Sequence, residues 1–410
     1  MSTASPTGAS FDPLAKAGDL EAFRSEIRRW ISVTIAEDWQ QKMPSMDEQG
    51  VIAFYQWWFT ALNSAGLATA HWPKEWGGRG LSLTHQVIIF EELARANAPM
   101  PELHVISLYH VPATLFAHGN QQQRTRYLNG VKERGEVWCQ GFSEPGAGSD
   151  LASLRTRAER RTTADGRDVY LVNGQKIWSS FGMHADYYLL LARTDPSAPK
   201  KQMGISCFIM DLASPGVTIR PIRQMTGEQE FTEVFLDNVE IPAENLIGAE
   251  NAGWSIAQST LSAERGLIIF ESTERMASAF AREFNAGRDS WCKDDELRRV
   301  FMGLFAELRA LRELIRQLLS AIEQDPANGG NLIAPYVKLL YATLLQRFND
   351  FLLRIGGIEG QQLERPVGGL GHHSGHRMLD YLRSFSWTIA GGTNEIMRNL
   401  IAERILELPR

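Results

Sequence analysis

The chain has 410 residues, enough for two or three domains, and its 44% hydrophobic and 22% charged residues suit a chain that buries a large core without disulfide or metal staples. Forty-two bases against 48 acids leave a net charge of −6, which argues against binding bulk nucleic acid or anionic membrane through a basic surface. The three cysteines, Cys139, Cys207 and Cys292, are odd in number and widely spaced, which fits a reducing interior and disfavours a disulfide framework or thiolate metal site.

In chain order, Met1 to Leu14 is small and polar and lacks the basic start and apolar core of a secretory signal. Asp12, Asp19 and Glu21 tell against a transit peptide. No apolar run approaches the roughly 18–20 residues of a membrane span, so a cytoplasmic protein is expected. From Asp19 to about Val131 apolar residues recur at helical spacing, which predicts a helix over Leu20–Ile35 and another over Leu83–Ala96 capped by Ser82. Between about Val137 and Ile247 the texture is strand-like. Val169–Val172 and Lys176–Trp178 flank Asn173-Gly174, which reads as a hairpin turn. Tyr187–Ala192, Ile205–Met210 and Thr232–Leu236 read as further strands, and Val217 and Ile219 mark an additional one.

From about Gly253 the helical period returns. Leu297 through Ile322 carries an apolar stripe at i, i+3, i+4, i+7, with Asp294, Asp295 and Glu296 at the end where negative charge complements the helix dipole. A helix is expected over Tyr336–Ile355, ended by Gly356-Gly357, and a last one over Asn394–Leu406. The Gly-rich stretch from Gly356 to His376 contains His372, His373 and His376 but no carboxylate or thiol companions at ligand spacing, so it reads as a loop and no metal site is assigned. The expected class is α+β with three domains: N-terminal helical (1–135), central β (136–249) and C-terminal helical (250–410).

Two stretches carry chemistry. Phe142-Ser143-Glu144-Pro145-Gly146-Ala147-Gly148-Ser149-Asp150 combines small residues, which let backbone approach a ligand, with hydroxyls at both ends. Lys176-Ile177-Trp178-Ser179-Ser180 offers an aromatic face and two hydroxyls to a flat heterocycle. Alone, the first also reads as an ordinary turn and the second as a core tryptophan beside a solvated turn. Together with Trp72-Pro73-Lys74-Glu75-Trp76-Gly77-Gly78, Phe235 to Pro242, and Ile389-Ala390-Gly391-Gly392-Thr393-Asn394-Glu395-Ile396, they resemble the acyl-CoA dehydrogenase family. The pieces stand in family order and spacing over most of the chain from about residue 20.

That resemblance implies N-terminal helices, a central β domain and a C-terminal helical bundle, usually assembled as a homotetramer with FAD between subunits. It implies that Ser143 bonds the pyrimidine side of the flavin and that Ser149 lies near the FAD pyrophosphate and the acyl-CoA. Trp178 is then expected to cover one face of the isoalloxazine, Ser180 to approach its N5 edge, and Thr393 and Glu395 to bind the adenine half. Gly356-Gly357 matches a further intersubunit FAD contact. Where many members carry an arginine in an Arg-x-x-Phe-Gly element, alignment on Gly287 puts Glu283, with Ala286 at the phenylalanine position; Arg282 is the alternative source of that contact.

Most members also place a glutamate just before the Gly-Thr of the C-terminal motif, and this chain has Gly391 there. Isovaleryl- and long-chain-specific members carry the carboxylate on a helix before an arginine, which matches Glu264-Arg265. Glu264 is therefore expected as the catalytic base, and Arg265 as an orienting residue on the substrate side. The implied reaction is α,β-dehydrogenation of an acyl-CoA, with electrons passed to an electron-transfer flavoprotein. Two alternatives stand beside it: an oxidase or monooxygenase on the same fold, and one subunit of a heterotetrameric dehydrogenase. A DNA-associated relative fits poorly with the net charge. The relocated base is compatible with long, branched or bulky acyl groups, sterol side-chain thioesters among them.

Overall fold

The structure, a computed structural model, describes residue 14 and residues 16–43, 46–325, 330, 332–363 and 376–409, with the backbone alone at residues 262–265. Helical periodicity builds its first layer. Helix α1 (Leu20–Thr34) is capped by Asp19, whose carboxylate accepts from the Glu21 and Ala22 amides at 3.1 Å, and it buries Phe23, Ile27, Trp30 and Ile31 along one stripe. Helix α2 (Glu48–Ser64) starts at Asp47 in the same way and buries Val51, Tyr55, Trp58 and Phe59. Helix α3 (Leu83–Arg95) begins after Ser82, as the sequence predicts, but the Ser82 hydroxyl bonds Nδ1 of His85 at 2.8 Å and caps no backbone amide. A short helix, α4 (Val111–His118), follows.

One carboxylate ties α1 to α3. The Glu92 side chain, 2% exposed, accepts from Arg24 and Arg28 of α1 and from Arg95 of its own helix, at 3.0, 3.0 and 2.8 Å. Burial alone would raise its pKa, but the three arginine contacts outweigh it and hold the group at about 2.

The middle of the chain forms an eight-stranded sheet in the order β6-β7-β3-β2-β4-β5-β8, with β1 on the side of β4. The strands are β1 (Trp138–Gly141), β2 (Arg157–Thr162), β3 (Asp168–Ser180), β4 (Tyr187–Arg193), β5 (Ile205–Asp211), β6 (Val217–Pro221), β7 (Phe231–Pro242) and β8 (Leu246–Ile247). Strands β4 and β5 read as continuous apolar runs because both of their faces are covered. Leu189, Leu191, Cys207 and Ile209 join the core shared with the helices. Leu190, Ala192, Phe208 and Met210 pack on the other side with Tyr170, Val172 and Val234.

The expected hairpin at Asn173-Gly174 is not there. β3 runs unbroken through both residues, with only a register shift against β7 between Val172 and Gly174. A Cβ at Gly174 would stand 2.4 Å from the Thr156 hydroxyl, so glycine serves the close approach of β2 rather than a chain reversal. Asn173 spans the same irregularity by accepting from the Asn238 amide at 2.8 Å. The reversal lies earlier, where Thr163 and Arg167 close the β2–β3 turn around Gly166, at φ 85°.

The C-terminal helices are α5 (Gly253–Ala263), α6 (Ile269–Gly287), α7 (Asp295–Gln324), α8 (Ala334–Gly360), α9 (Arg377–Ser384) and α10 (Asn394–Leu400). A π-helical turn at Glu264–Ile268 joins α5 to α6, and another, Ile401–Ile405, ends α10. The predicted stripe of α7 is buried at Phe301, Leu304, Leu308, Leu311, Ile315 and Leu318, and Phe280 of α6 stacks on Phe348 of α8 with centroids 3.8 Å apart. The end expected at Gly356-Gly357 is present as a break, followed by a short further run of helix. The helix breaks at Gly357 (φ 57°, ψ −143°) and winds on to Gly360, while Gly356 leaves room for Arg377, whose Nη1 would lie 2.6 Å from an added Cβ. Of the histidines in the following stretch, His372 and His373 lie outside the described residues, and His376 precedes α9. Among the described residues no helix is long and apolar enough to cross a membrane.

Because the folded pKa of Glu92 lies below its unfolded value, its contribution is complete above about pH 4.5 and disappears as pH falls toward 2. Glu92→Gln is therefore expected to lower stability by about 3 kcal/mol at pH 7 and to leave it nearly unchanged close to pH 2. Urea unfolding across that range measures the difference.

Candidate functional site

The site begins with an irregularity in β3. Between Lys176 and Ser179 the register against β7 slips, and Trp178 leaves the ladder at φ 65°. Phe181, just past the strand, also has a left-handed φ, 56°. Positive φ at a bulky aromatic residue is strained, and such strain concentrates where side chains are aimed at function. The bulge leaves the Trp178 indole 55% exposed, edge-on to Phe231 at 6.0 Å. Ser180 returns to register opposite Phe231.

A buried ion pair fixes the second piece against the first. Lys176, fully buried, donates from Nζ to Glu144 Oε1 at 2.8 Å and to the Phe142 carbonyl at 3.2 Å. Glu144 also accepts from the amides of Arg155 and Thr156, at 2.6 and 2.8 Å. Burial would raise the Glu144 pKa, but the Lys176 charge and these hydrogen bonds keep it below its ordinary value. Burial lowers Lys176 to about 8 in spite of its partner, so the pair is ionised at neutral pH. The Ile177 amide donates to the Ser143 carbonyl at 3.0 Å, completing the dock of the 142–150 turn on β3.

Trp178, Ser180 and Phe181 form one wall of a cavity of about 550 Å³. Its other walls come from residues 97–110, from the loop at 222–230, from Ile268, Ser272 and Arg275, and from residues 382–390. Two arginines hold these walls. Arg275 of α6 pairs with Glu271 at 2.7 Å and donates to the carbonyls of Ala98 and Pro99. Arg383 of α9, itself buried, makes a two-pronged pair with Glu228 in the 222–230 loop.

Two further carboxylates, Glu102 and Glu230, line the same cavity. Burial pushes Glu102 up to about 7, against the pull of Arg383 and Arg275. Burial pushes Glu230 to about 8, with the Glu102 charge adding to the shift.

The structure brings only part of the sequence-predicted set to this cavity. Trp178 and Ser180 line it. Ser143 lies beside the strand, and Ser149 is exposed on the same turn. The hydroxyls of Ser143, Ser149 and Ser180 make no hydrogen bond among the described residues. Thr393 caps α10 by accepting from the Ile396 amide at 3.2 Å, and the exposed Glu395 pairs with Arg398 at 3.1 Å. Gly356, Gly357, Thr393 and Glu395 do not line the cavity. The side chains of Glu264 and Arg265 lie outside the described residues; their backbone opens the π turn that ends at Ile268, a cavity residue. At the departure noted around Gly287, Glu283 is engaged by Arg377 at 3.2 Å, and Arg282 is exposed.

Sequence reasoning missed Arg275, Arg383, Glu102 and Glu230, which sit in unremarkable helical and loop contexts. Lys176 was visible as the residue opening the Trp178 segment. Its partner, 32 positions away, was not.

Comparison with known proteins matches most of the chain to one family. Family models match residues 18–133 (acyl-CoA dehydrogenase, N-terminal domain), 139–239 (middle domain) and 251–406 (C-terminal domain). Acyl-CoA dehydrogenase IpdE1 of Mycobacterium tuberculosis is 37% identical over 405 residues, covering 96% of this chain and 98% of that protein. Its namesake in Mycolicibacterium smegmatis is 35% identical over 404 residues, with the same coverage. Among solved structures, the Tcur3481–Tcur3483 steroid ACAD superposes with a TM-score of 0.82 at 29% identity, covering 95% of this chain and 98% of that one. The ChsE4–ChsE5 complex from Mycobacterium tuberculosis superposes with a TM-score of 0.76 at 28% identity, covering 97% and 98%.

The Lys176–Glu144 pair sets an expectation for the site's rigidity. Lys176→Met strands a carboxylate in the interior and is expected to destabilise the fold by about 3 kcal/mol. Calorimetry reads this as a lower Tm.

Proposed function

The chain belongs to the acyl-CoA dehydrogenase family, and we propose that it converts an acyl-CoA thioester to the trans-2-enoyl-CoA, with FAD as cofactor and an electron-transfer flavoprotein as partner. The observation that carries the reading is the cavity itself. It joins the strained, half-exposed Trp178 and the unbonded Ser180 hydroxyl to the helix turn that starts at position 264.

These residues fit a flavin. Trp178 offers an uncovered aromatic face, and the hydroxyls of Ser143, Ser149 and Ser180 are unused within the described residues. They would hold FAD together with Gly356, Gly357, Thr393 and Glu395 at the subunit boundary. Bound FAD supplies the two-electron acceptor that no side chain provides.

The rest of the chemistry belongs to the chain. Glu264 takes the α-proton of the thioester, and Arg265 orients the turn that carries it. A carboxylate in water is too weak a base for that proton. Enclosure would change this: burial raises Glu102 to about 7 and Glu230 to about 8, and a base in such surroundings both holds its charge and accepts a proton readily. The glycine at 391 supports Glu264 by removing the other familiar position for a base. The steroid dehydrogenase among the structural relatives favours a bulky acyl group over a simple straight chain.

A second reading concerns assembly. Two solved relatives carry paired names, and Glu283, where many members have an arginine facing a neighbour's FAD, is already held by Arg377 of its own chain. That combination favours a hetero-oligomer in which a second chain completes the cofactor site. The chain purified alone is then expected to hold less than one FAD per subunit. Light scattering with flavin absorbance tests this, and a homotetramer carrying four FAD would sink it.

Glu264→Gln is expected to retain yellow FAD while its anaerobic bleaching by acyl-CoA slows by roughly 10²–10⁴-fold. Bleaching at the native rate would remove Glu264 as the base. Rapid oxygen consumption in place of acyl-CoA-dependent bleaching would point to oxidase or monooxygenase chemistry.

A further inference from the structure

Two carboxyl groups in the cavity have no place in the reaction described above. Glu102 comes from a short 3₁₀ turn (Glu102–His104) in the N-terminal helical segment, and Glu230 from the residue preceding β7. Both line the cavity beside Phe231 and Arg383, and they are close enough for the charge on Glu102 to raise Glu230. Neither side chain makes a hydrogen bond or ion pair among the described residues. A third lining residue also carries an unsatisfied group: Trp138 of β1 is 1% exposed, and its indole N–H meets no acceptor among the described residues.

We propose that Glu102 and Glu230 recognise a neutral oxygen function, a keto or hydroxyl group, carried on the acyl part of the substrate. The inference rests on the acyl-CoA reading and adds the chemical class of the acyl group. A plain hydrocarbon chain would leave both carboxyls and the Trp138 N–H sealed against it without partners, which is strongly unfavourable.

The surrounding charges disfavour the other polar classes. Arg275 and Arg383, the cations nearest the two acids, are engaged by Glu271 and Glu228, so a substrate carboxylate at this end of the cavity would face two further acids, with the exposed Arg223 of the 222–230 loop as the other cation of the lining. A substrate amine would lie near the guanidinium groups of Arg275 and Arg383, and burial keeps the facing carboxyls partly protonated at neutral pH, Glu102 at about 7 and Glu230 at about 8. A protonated carboxyl both donates and accepts a hydrogen bond, which suits a hydroxyl, and its O–H suits a ketone. Tyr55 and Tyr341 border the same polar region from α2 and α8, and burial keeps both phenols neutral.

The test compares acyl-CoA pairs of matched size, with and without a ring keto or hydroxyl group, on the FAD-loaded protein assembled with any partner chain. Anaerobic flavin bleaching gives kcat/KM, and the spectral shift on mixing gives Kd. The native protein is expected to favour the oxygenated thioester by roughly 100-fold or more. Glu102→Leu and Glu230→Leu should erase most of that preference through KM while turnover of the hydrocarbon analogue persists, and the Gln variants should retain part of it. Equal use of both members by the native protein overturns the proposal and leaves the dehydrogenase reading intact, as does a preference that survives both Leu substitutions. Bleaching by no thioester at all overturns both. A Leu variant that fails to load FAD is replaced by its Gln counterpart, for which an unchanged preference and unchanged Kd for both thioesters count against the proposal.

Discussion

The cavity exists because two arginines on the C-terminal helices grip the other two parts of the chain. Arg275 reaches from α6 to the backbone carbonyls of Ala98 and Pro99, and Arg383 reaches from α9 to Glu228 at the edge of the sheet. Each is buried, and each has a carboxylate partner: Glu271 for Arg275 and Glu228 for Arg383. Such pairs add little net stability compared with apolar packing, but losing one partner leaves a stranded charge. Their value here is geometric. Charge and directed hydrogen bonds set the spacing of three walls around a space that apolar contact alone would tend to close.

The local geometry of the sheet follows from similar constraints. Left-handed φ at Trp178 and Phe181 costs on the order of 1–3 kcal/mol at each residue, so both must be held by their surroundings. β7 fixes the far side through the Ser180–Phe231 register, and the Phe181 amide donates to the Glu230 carbonyl at 2.8 Å. Lys176 anchors the near side through Glu144. The strand is thereby pinned immediately before and after the residues that deviate from it.

Much of this was legible in the sequence, and the exceptions have definite causes. Helices α1, α3 and α7 were readable because their buried faces repeat at helical spacing, and β4 and β5 because a doubly covered strand is apolar throughout. Asn173-Gly174 misled because the same dipeptide serves a tight turn or a close contact, and only the proximity of Thr156 distinguishes them. Gly356-Gly357 was legible as a break, because the second glycine leaves helical geometry; the room the first makes for Arg377 and the short helical run on to Gly360 were not. Trp178 and Ser180 could be picked out because they are adjacent in a recognisable segment. Glu102, Glu230, Arg275 and Arg383 could not, because their association is created by the packing of four separate segments and leaves no spacing pattern in the chain.

The π turn between α5 and α6 has a wider bearing. It accommodates one more residue than an α-helical turn, so the two helices are offset by about 100° in the direction their side chains take. That offset lets α5 lie against β5 and α4 while α6 turns toward α3, α7 and α8. Insertion and deletion are therefore not equivalent at this joint. Removing a single residue would restore regular winding and swing Met276 and Phe280 out of their packing, so sequence length is as constrained here as residue identity.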